Sequence, residues 1–565
     1  MLSRILLLVI PLATAATTVA AEPADLVLRG GIVITCDAVN RQAEALAVSK
    51  GRIVAVGTNA AIAPLVGPQT KTIELTGRVV TPGFIECHGH LLSLGQQRID
   101  VDLSGCQSWE ECVARVAERA KSVRKGDWII GRGWHQEHWT TPPQADGSRY
   151  PTNAILNAAT PDNPVLLTHG TGHMAIANAE GLKAAGINDE STPPAGGEFL
   201  RDAQNRLTGV LRETASSAVH AAHGRWQARR TAAERDADDR HAAEVAIQEC
   251  LSKGVTSFQD AGSPFSEVDL FRQLADEGKL GLRLFVMLSA TPETLARRME
   301  AARTIGAADG HLSVRAIKCM ADGALGSHGA LLLKPYVDLP ASTGLRIHSL
   351  GRIEQTAQLA AKYDYQLCTH AIGDQAIREV LDIYERVLRG MNGKDRRWRI
   401  EHLQHIDPAD IPRLSELGVI ASMQANHATS DGPFVVTRLG EERARVGAYA
   451  WRSVVDSGAL LINGTDVPVE DVNPLLCLRS AVTRRMGDGK QFFPEQCLTP
   501  LEALRSYTID AAYGAFEEQE KGSIEPGKLA DLVILSASPL TTPGDDLGTL
   551  KVETTIVGGR IVHQR

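Results

Sequence analysis

Val79-Val-Thr-Pro-Gly-Phe-Ile-Glu-Cys-His88-Gly-His90 is the stretch on which the reading of this chain turns. Its apolar run, broken by a turn-forming Pro82-Gly83, suits a buried strand that delivers its last residues to one end of a sheet. Two histidines at i and i+2 on a strand project from one face. Imidazoles placed in that way can both reach one metal ion at about 2.0–2.1 Å. On spacing alone a His-x-His pair is more often incidental than a ligand, so the partners elsewhere in the chain decide.

The surrounding chain is long enough to supply them. At 565 residues, with 43% hydrophobic and 22% charged residues, it can bury a large core in one big domain plus a satellite. The net charge of -8 is mildly acidic and no basic cluster stands out, which argues against nucleic acid or an anionic membrane surface as a partner. Arg4, the apolar run Ile5 to Leu12 and the small residues up to Ala21 describe a secretory signal peptide at 1–21. The apolar part is too short to span a bilayer. Its removal would delete Arg4 and no acid, moving the net charge from -8 to -9. The mature protein is therefore expected in the periplasm or secreted, with no membrane span. The nine cysteines form no C-x-x-C pair. Cys106 and Cys112 flank a helix start and could bridge, whereas Cys87, Cys319 and Cys368 lie in apolar segments and read as buried small hydrophobes.

Residues 22–81 read as short strands punctuated by turns at Gly30-Gly31, Lys50-Gly51 and Thr76-Gly77, and residues 521–565 echo them. Two strand-rich ends around a different middle predict one small β-sandwich built from both termini. Between them, residues 82–520 alternate. A helix from Thr231 to Lys253 ends at Gly254 and is followed by the strand Val255–Asp260. The rhythm recurs through Leu282–Ser289, Ser313–Met320, Gln366–His370, Trp398–His402, Val419–Gln424 and Ala459–Asp466. That pattern predicts an α/β fold, a (β/α)8 TIM-like barrel rather than an open sheet, with a large insertion over about 95–245 after the first barrel strand. Ser108-Trp-Glu-Glu111 inside the insertion reads as a capping box.

An active site in such a barrel lies at the C-terminal ends of the strands. Five predicted strands end on residues of the metal-ligand type: His88 and His90, Lys318 within an apolar run, His370, His402 and Asp466. Each taken alone has a duller reading, such as a core histidine satisfied by a carbonyl or an aspartate capping the next helix. Five strand ends in turn make coincidence a poor explanation.

The order His-x-His, Lys, His, His, Asp resembles the metal-dependent amidohydrolase superfamily. The words Lys318-Cys-Met-Ala-Asp322-Gly-Ala-Leu-Gly, His370-Ala-Ile-Gly-Asp-Gln-Ala, Arg399-Ile-Glu-His402-Leu-Gln-His, Ser422-Met-Gln424, Gly464-Thr-Asp466-Val-Pro-Val and Gly522-Ser-Ile-Glu-Pro-Gly-Lys-Leu-Ala-Asp531-Leu are similar to its YtcJ-like branch, which includes N-substituted formamide deformylases. The resemblance spans essentially the whole mature chain. It implies that His88, His90 and Asp466 hold the more buried metal, that His370 and His402 hold a second, and that Lys318 bridges both as a carbamate, which would place two anionic oxygens where an ammonium would repel the ions. Zinc is the first expectation for a His-rich site, with one or two ions bound; iron, manganese and cobalt also suit mixed nitrogen and oxygen ligands. Asp466 is the implied general base and then acid for a metal-activated water. Two residues depart from the family's pattern: Glu86 where relatives usually carry Asp, and Thr465 where Ser is common.

Further candidates for contacting substrate are His173 in His169-Gly-Thr-Gly-His173, Trp134, Asp322 and His427, each with a structural alternative. The expected activity is hydrolysis of an amide-type C–N bond in a small molecule, whether N-acyl, N-formyl or cyclic. An esterase or lactonase, a metal-dependent isomerase and a binding protein that has lost catalysis are the alternatives. Barrel hydrolases often pair, which makes a homodimer one candidate assembly and leaves the oligomeric state open.

Overall fold

The computed structural model describes residues 22–136, 139–141, 150–170, 174–194, 197–391 and 395–565. The expected signal segment 1–21 and the candidate His173 lie outside the described residues. Eight strands form the centre: β1 (Phe84–Gly89), β2 (Val255–Ser263), β3 (Arg283–Leu288), β4 (Leu312–Met320), β5 (Gln366–Ala371), β6 (Arg399–His402), β7 (Ile420–Gln424) and β8 (Leu461–Gly464). Each pairs in parallel with the next in sequence. The barrel expected from the β/α rhythm is therefore present.

Its last seam closes in an unusual way. The Asp466 N–H donates to the His88 carbonyl at 2.7 Å and the His90 N–H to the Val467 carbonyl at 2.8 Å. Between these strands lies the Glu86 side chain, whose Oε1 accepts the N–H groups of His88 at 3.0 Å and Thr465 at 2.8 Å. Gly464 makes room for it: a Cβ there would stand 2.3 Å from Glu86 Oε1. The two departures from the family pattern are thus partners, since Thr465 Oγ1 donates to Glu86 Oε2 at 2.9 Å. Burial pushes the Glu86 carboxyl up to about 8 against the pull of these donors.

Inside the barrel, Ala261, Phe285, Met287, Ala316 and Cys368 form an apolar layer. Two residues further along their strands stand Lys318 and His370, so the period of a strand sets the polar layer directly on the apolar one. Outside, the helix Ala232–Ser252 begins in a full capping box between Thr231 and Glu234. It packs on the helix Leu91–Ile99 so closely that a Cβ at Gly95 would lie 1.8 Å from the Ala242 carbonyl oxygen.

The opening stretch divides between two sheets. Val79–Pro82 pairs with Ile32–Ile34 and, antiparallel, with Leu532–Leu535, joining N- and C-terminal segments in one six-stranded sheet. A second sheet of four N-terminal strands faces it across a core that includes Leu28, Val33, Leu46, Val80, Leu532 and Ile534. Gly83 is the joint between sandwich and barrel, because a Cβ there would meet Thr256 Oγ1 at 2.1 Å. A buried ion pair ties the two units: Arg283, first residue of β3, donates to Asp531 at 2.6 and 3.0 Å.

Segments between Val101 and Glu213 form a separate six-stranded sheet with its own core of Trp109, Trp134, Leu156, Leu167 and Ile176. Ser108 caps the helix Trp109–Ala120, but only half of the expected box forms. Its hydroxyl accepts from the Glu111 N–H, whereas the Glu111 carboxylate reaches one residue further back, to the Gln107 N–H at 2.8 Å. Cys106 and Cys112 are free and buried. Among the described residues no helix is long and apolar enough to cross a membrane.

Candidate metal centre

The six strand-end residues converge on the C-terminal mouth of the barrel, around a cavity of 590 Å³ lined by His88, His90, Lys318, His370, His402 and Asp466 among others. Asp466 Oδ1 lies 3.2 Å from His90 Nε2 and 3.6 Å from His88 Nε2. One donor atom from each of His88, His90 and Asp466 falls within 4.8 Å of the others. Lys318 Nζ is 2.9 Å from His88 Nε2. The His402 ring stands 4.7 Å from that of His88 and 4.5 Å from that of His370, centroid to centroid.

Local backbone geometry aims several of these groups. On β6, Arg399 and Glu401 point into the barrel by the two-residue period, and His402 is the next residue, which a continuing strand would turn to the opposite face. The strand ends there instead, with φ of 73° at His402 and 44° at Leu403. Asp466 also adopts a left-handed φ, 57°. Such conformations in non-glycine residues persist where surrounding contacts over-determine them, and they cluster at functional sites.

Hydrogen bonds settle which imidazole nitrogen faces the cavity. His88 Nδ1 bonds the Glu401 carboxylate, and His402 Nδ1 bonds the Gln424 side-chain oxygen at 2.7 Å. Each outer nitrogen therefore carries the proton, and each Nε2 presents a lone pair to the mouth. Burial, then neighbouring cations and histidines, hold these rings neutral. The His88 value falls to about 4, and His370 and His402 fall well below the usual histidine range. For Asp466, burial opposes ionisation, but the His90 hydrogen bond and the neighbouring His88, His402 and His427 outweigh it. Burial pushes the Lys318 ammonium below its ordinary value.

The donor set fits a cation. His370 Nε2 and His427 Nε2 are buried and have no hydrogen-bond partner among the described residues. Buried polar nitrogens are costly when unsatisfied, and a divalent ion would satisfy a site of neutral imidazoles and a carboxylate.

Glu401 and Arg399 were not among the residues expected to build the site, although both stand in the quoted strand-six word. Arg399 donates to Glu401 at 2.7 and 3.0 Å, and also to Ser422 Oγ at 2.8 Å and the Cys87 carbonyl at 2.7 Å. Their alternation with Ile400 and His402 was the available signal. The remaining candidates divide. His427 lines the cavity and bonds Gln404 through Nδ1 at 3.1 Å. Asp322 is fully buried and spends its carboxylate on the N–H groups of Leu331, Ile372 and Gly373 at 2.8–3.0 Å. It braces the loops after β4 and β5 and stands 3.6 Å from His370 Nε2, so it positions the wall instead of lining it. Trp134 is likewise no part of the cavity wall: it is buried in the insertion's core, where its indole N–H donates to the Leu167 carbonyl at 3.0 Å.

Residues 71–563 match the amidohydrolase family. The chain belongs to that family. Among the relatives of this amidohydrolase, "Putative amidohydrolase YtcJ" of Bacillus subtilis is 30% identical over 545 residues, 95% of this chain and 99% of the relative. "Protein LONG AFTER FAR-RED 3" of Arabidopsis thaliana is 32% identical over 553 residues, 96% and 92% of the two chains. "N-substituted formamide deformylase" of Arthrobacter pascens is 28% identical over 555 residues, 96% and 98%. Among solved structures, an uncharacterized metal-dependent hydrolase from Pyrococcus furiosus superposes with a TM-score of 0.73 at 28% identity, over 91% of this chain and all of that one. The amidohydrolase described here is accordingly a metal-dependent hydrolase acting on small molecules.

Proposed function

We propose that this amidohydrolase cleaves an amide-type C–N bond, N-acyl, N-formyl or cyclic, in an exported compartment. The observation that carries the reading is the ionised Asp466 carboxylate, set between His88 and His90 in a cavity that also holds a half-buried lysine. The full-length similarity to an N-substituted formamide deformylase supports the choice of bond.

His88, His90, His370, His402 and Asp466 would hold one or two ions, with zinc the first choice. The metal supplies Lewis acidity that makes an attacking water acidic and a scissile carbonyl electrophilic. Asp466 then takes the proton of that water and passes it to the leaving nitrogen, a base role followed by an acid role. Glu401 and Gln424 keep His88 and His402 in the ligating tautomer throughout. Lys318, whose ammonium form burial disfavours, would react as a free amine with carbon dioxide to give a carbamate and release one proton. Lys318 would then offer an anion to the ions from beside His88. Export rests on the N-terminal signal pattern alone.

The decisive experiment joins elemental analysis of the purified protein to a screen of N-acyl and N-formyl compounds. Turnover of at least one compound class with about one or two metal equivalents per chain is the expected result. Less than one equivalent after supplementation, with no turnover, would favour the binding-protein alternative, and turnover confined to esters or lactones would replace the amide reading.

A further inference from the structure

On the wall beside β4, the catalytic cavity carries two donors that the hydrolytic machinery does not use. The first is Arg352, in the first turn of the helix Leu350–Tyr363. It lines the cavity, and among the described residues no carboxylate forms an ion pair with its guanidinium, the exposed Glu293 lying near enough only to feel its charge. Its place is set by the helix cap, since Ser349 Oγ accepts the Arg352 N–H at 3.3 Å.

The second is His348. Its backbone N–H donates to the Met320 carbonyl at 3.2 Å, which anchors it against the end of β4. Its Nδ1 accepts the Met320 N–H at 3.3 Å and faces the Cys319 thiol at 3.4 Å. A ring nitrogen that accepts a backbone N–H bears no proton of its own, so in the neutral ring Nε2 must carry it. Burial and the neighbouring Arg352 charge keep the ring neutral. Nε2–H is then a donor with no partner among the described residues, on a side chain that lines the same cavity.

The cavity's acids stand on other elements. Asp466 sits among the histidines, Asp431 accepts the Tyr449 hydroxyl at 2.6 Å, and Glu470 follows β8, four strands round the barrel from β4. The same lining includes the apolar side chains of Met320, Leu325 and Phe434.

We infer that Arg352 and His348 form an anion-binding corner, so that the substrate is an amide carrying a carboxylate at the end remote from the scissile bond, with an apolar middle. N-acyl or N-formyl amino acids with an apolar side chain have this chemistry. A guanidinium fork matches a carboxylate in two hydrogen bonds, and an imidazole N–H beside it adds a third. The inference rests on the proposed amide hydrolysis for the identity of the reacting group, but the corner itself does not.

Two measurements keep them apart. Calorimetry on the metal-loaded protein compares 4-phenylbutanoate with 4-phenylbutan-1-ol, which differ in the anionic group. The wild type is expected to hold the carboxylate about 10–100-fold more tightly, Arg352→Met to erase that preference, and Arg352→Lys to restore part of it. A wild type with no preference, including one that binds neither probe, overturns the corner. So does an Arg352→Met variant that keeps the preference, because the carboxylate would then sit on the metal. The second measurement compares kcat/KM for N-formyl-phenylalanine and N-formyl-phenethylamine. Equal values would leave amide hydrolysis standing and sink the corner. Arg352-dependent carboxylate binding without turnover of any amide would sustain the corner and sink the amide reading.

Discussion

Replacing Glu401 by Gln separates the stability of the barrel from its capacity to hold metal. Arg399, Glu401 and His88 are all 0% exposed. Arg399 would keep Ser422, Gln259 and the Cys87 carbonyl as partners but lose the Glu401 charge that it pairs with. Breaking one side of a buried pair costs about 3–5 kcal/mol. Unfolding entropy of about 2.1 cal/mol/K per residue gives about 1.2 kcal/mol/K for 565 residues. The metal-stripped variant should therefore melt about 2.5–4 °C below the stripped wild type. Separately, His88 loses the acceptor that fixes its tautomer, so chelator competition should show metal held about 10–100-fold more weakly. The double variant Arg399→Met, Glu401→Gln removes the orphaned charge. It should regain part of the melting temperature but none of the metal affinity. A single variant that melts within a degree of wild type and takes up metal as tightly would refute both the ion-pair and the tautomer arguments.

Three further outcomes are expected. Asp466→Asn should keep the fold but lower kcat by about 10²–10⁴-fold, the usual worth of a positioned acid–base group; full activity in that variant would remove Asp466 from the proton path. Gly464→Ala should disrupt the β1–β8 seam, because the added Cβ would meet Glu86 Oε1 at 2.3 Å and the His88 nitrogen at 2.6 Å. Its circular dichroism should stay near native while metal content falls, and an unchanged metal content would contradict the tight packing. Asp531→Asn should cost about 3–5 kcal/mol at pH 7 in urea unfolding, since it strands the buried Arg283. Burial disfavours the Asp531 charge, yet Arg283 holds its carboxyl below the ordinary 3.8. The stabilisation is thus present above that value and lost as pH falls through the depressed one. The gap between wild type and variant should stay level from pH 5 to 8 and narrow below about pH 4; a constant gap on acidification would count against the pair.

By itself the sequence determined the parts of this protein that depend on local pattern. Alternating strands and helices between residues 82 and 520 specified the barrel, because strand and helix periods differ and a parallel strand needs a long crossover. Residues of the metal-ligand type at five strand ends pointed to one mouth of the barrel, since parallel strands all deliver their C-terminal ends to one face. Tertiary structure decided what depends on groups far apart in the chain. Glu86 and Thr465 look like two separate oddities in sequence, 379 positions apart, and only closure of the barrel makes them one hydrogen-bonded seam. Asp322 reads as a site residue in its motif, yet three backbone N–H groups, one from its own loop and two from the loop after β5, claim its carboxylate. Trp134 could have walled the pocket, but the insertion folds around it as core. His348 and Arg352 carried no motif at all. They became informative when the chain after β4 folded back on Met320 and left their donors facing the same cavity as Asp466.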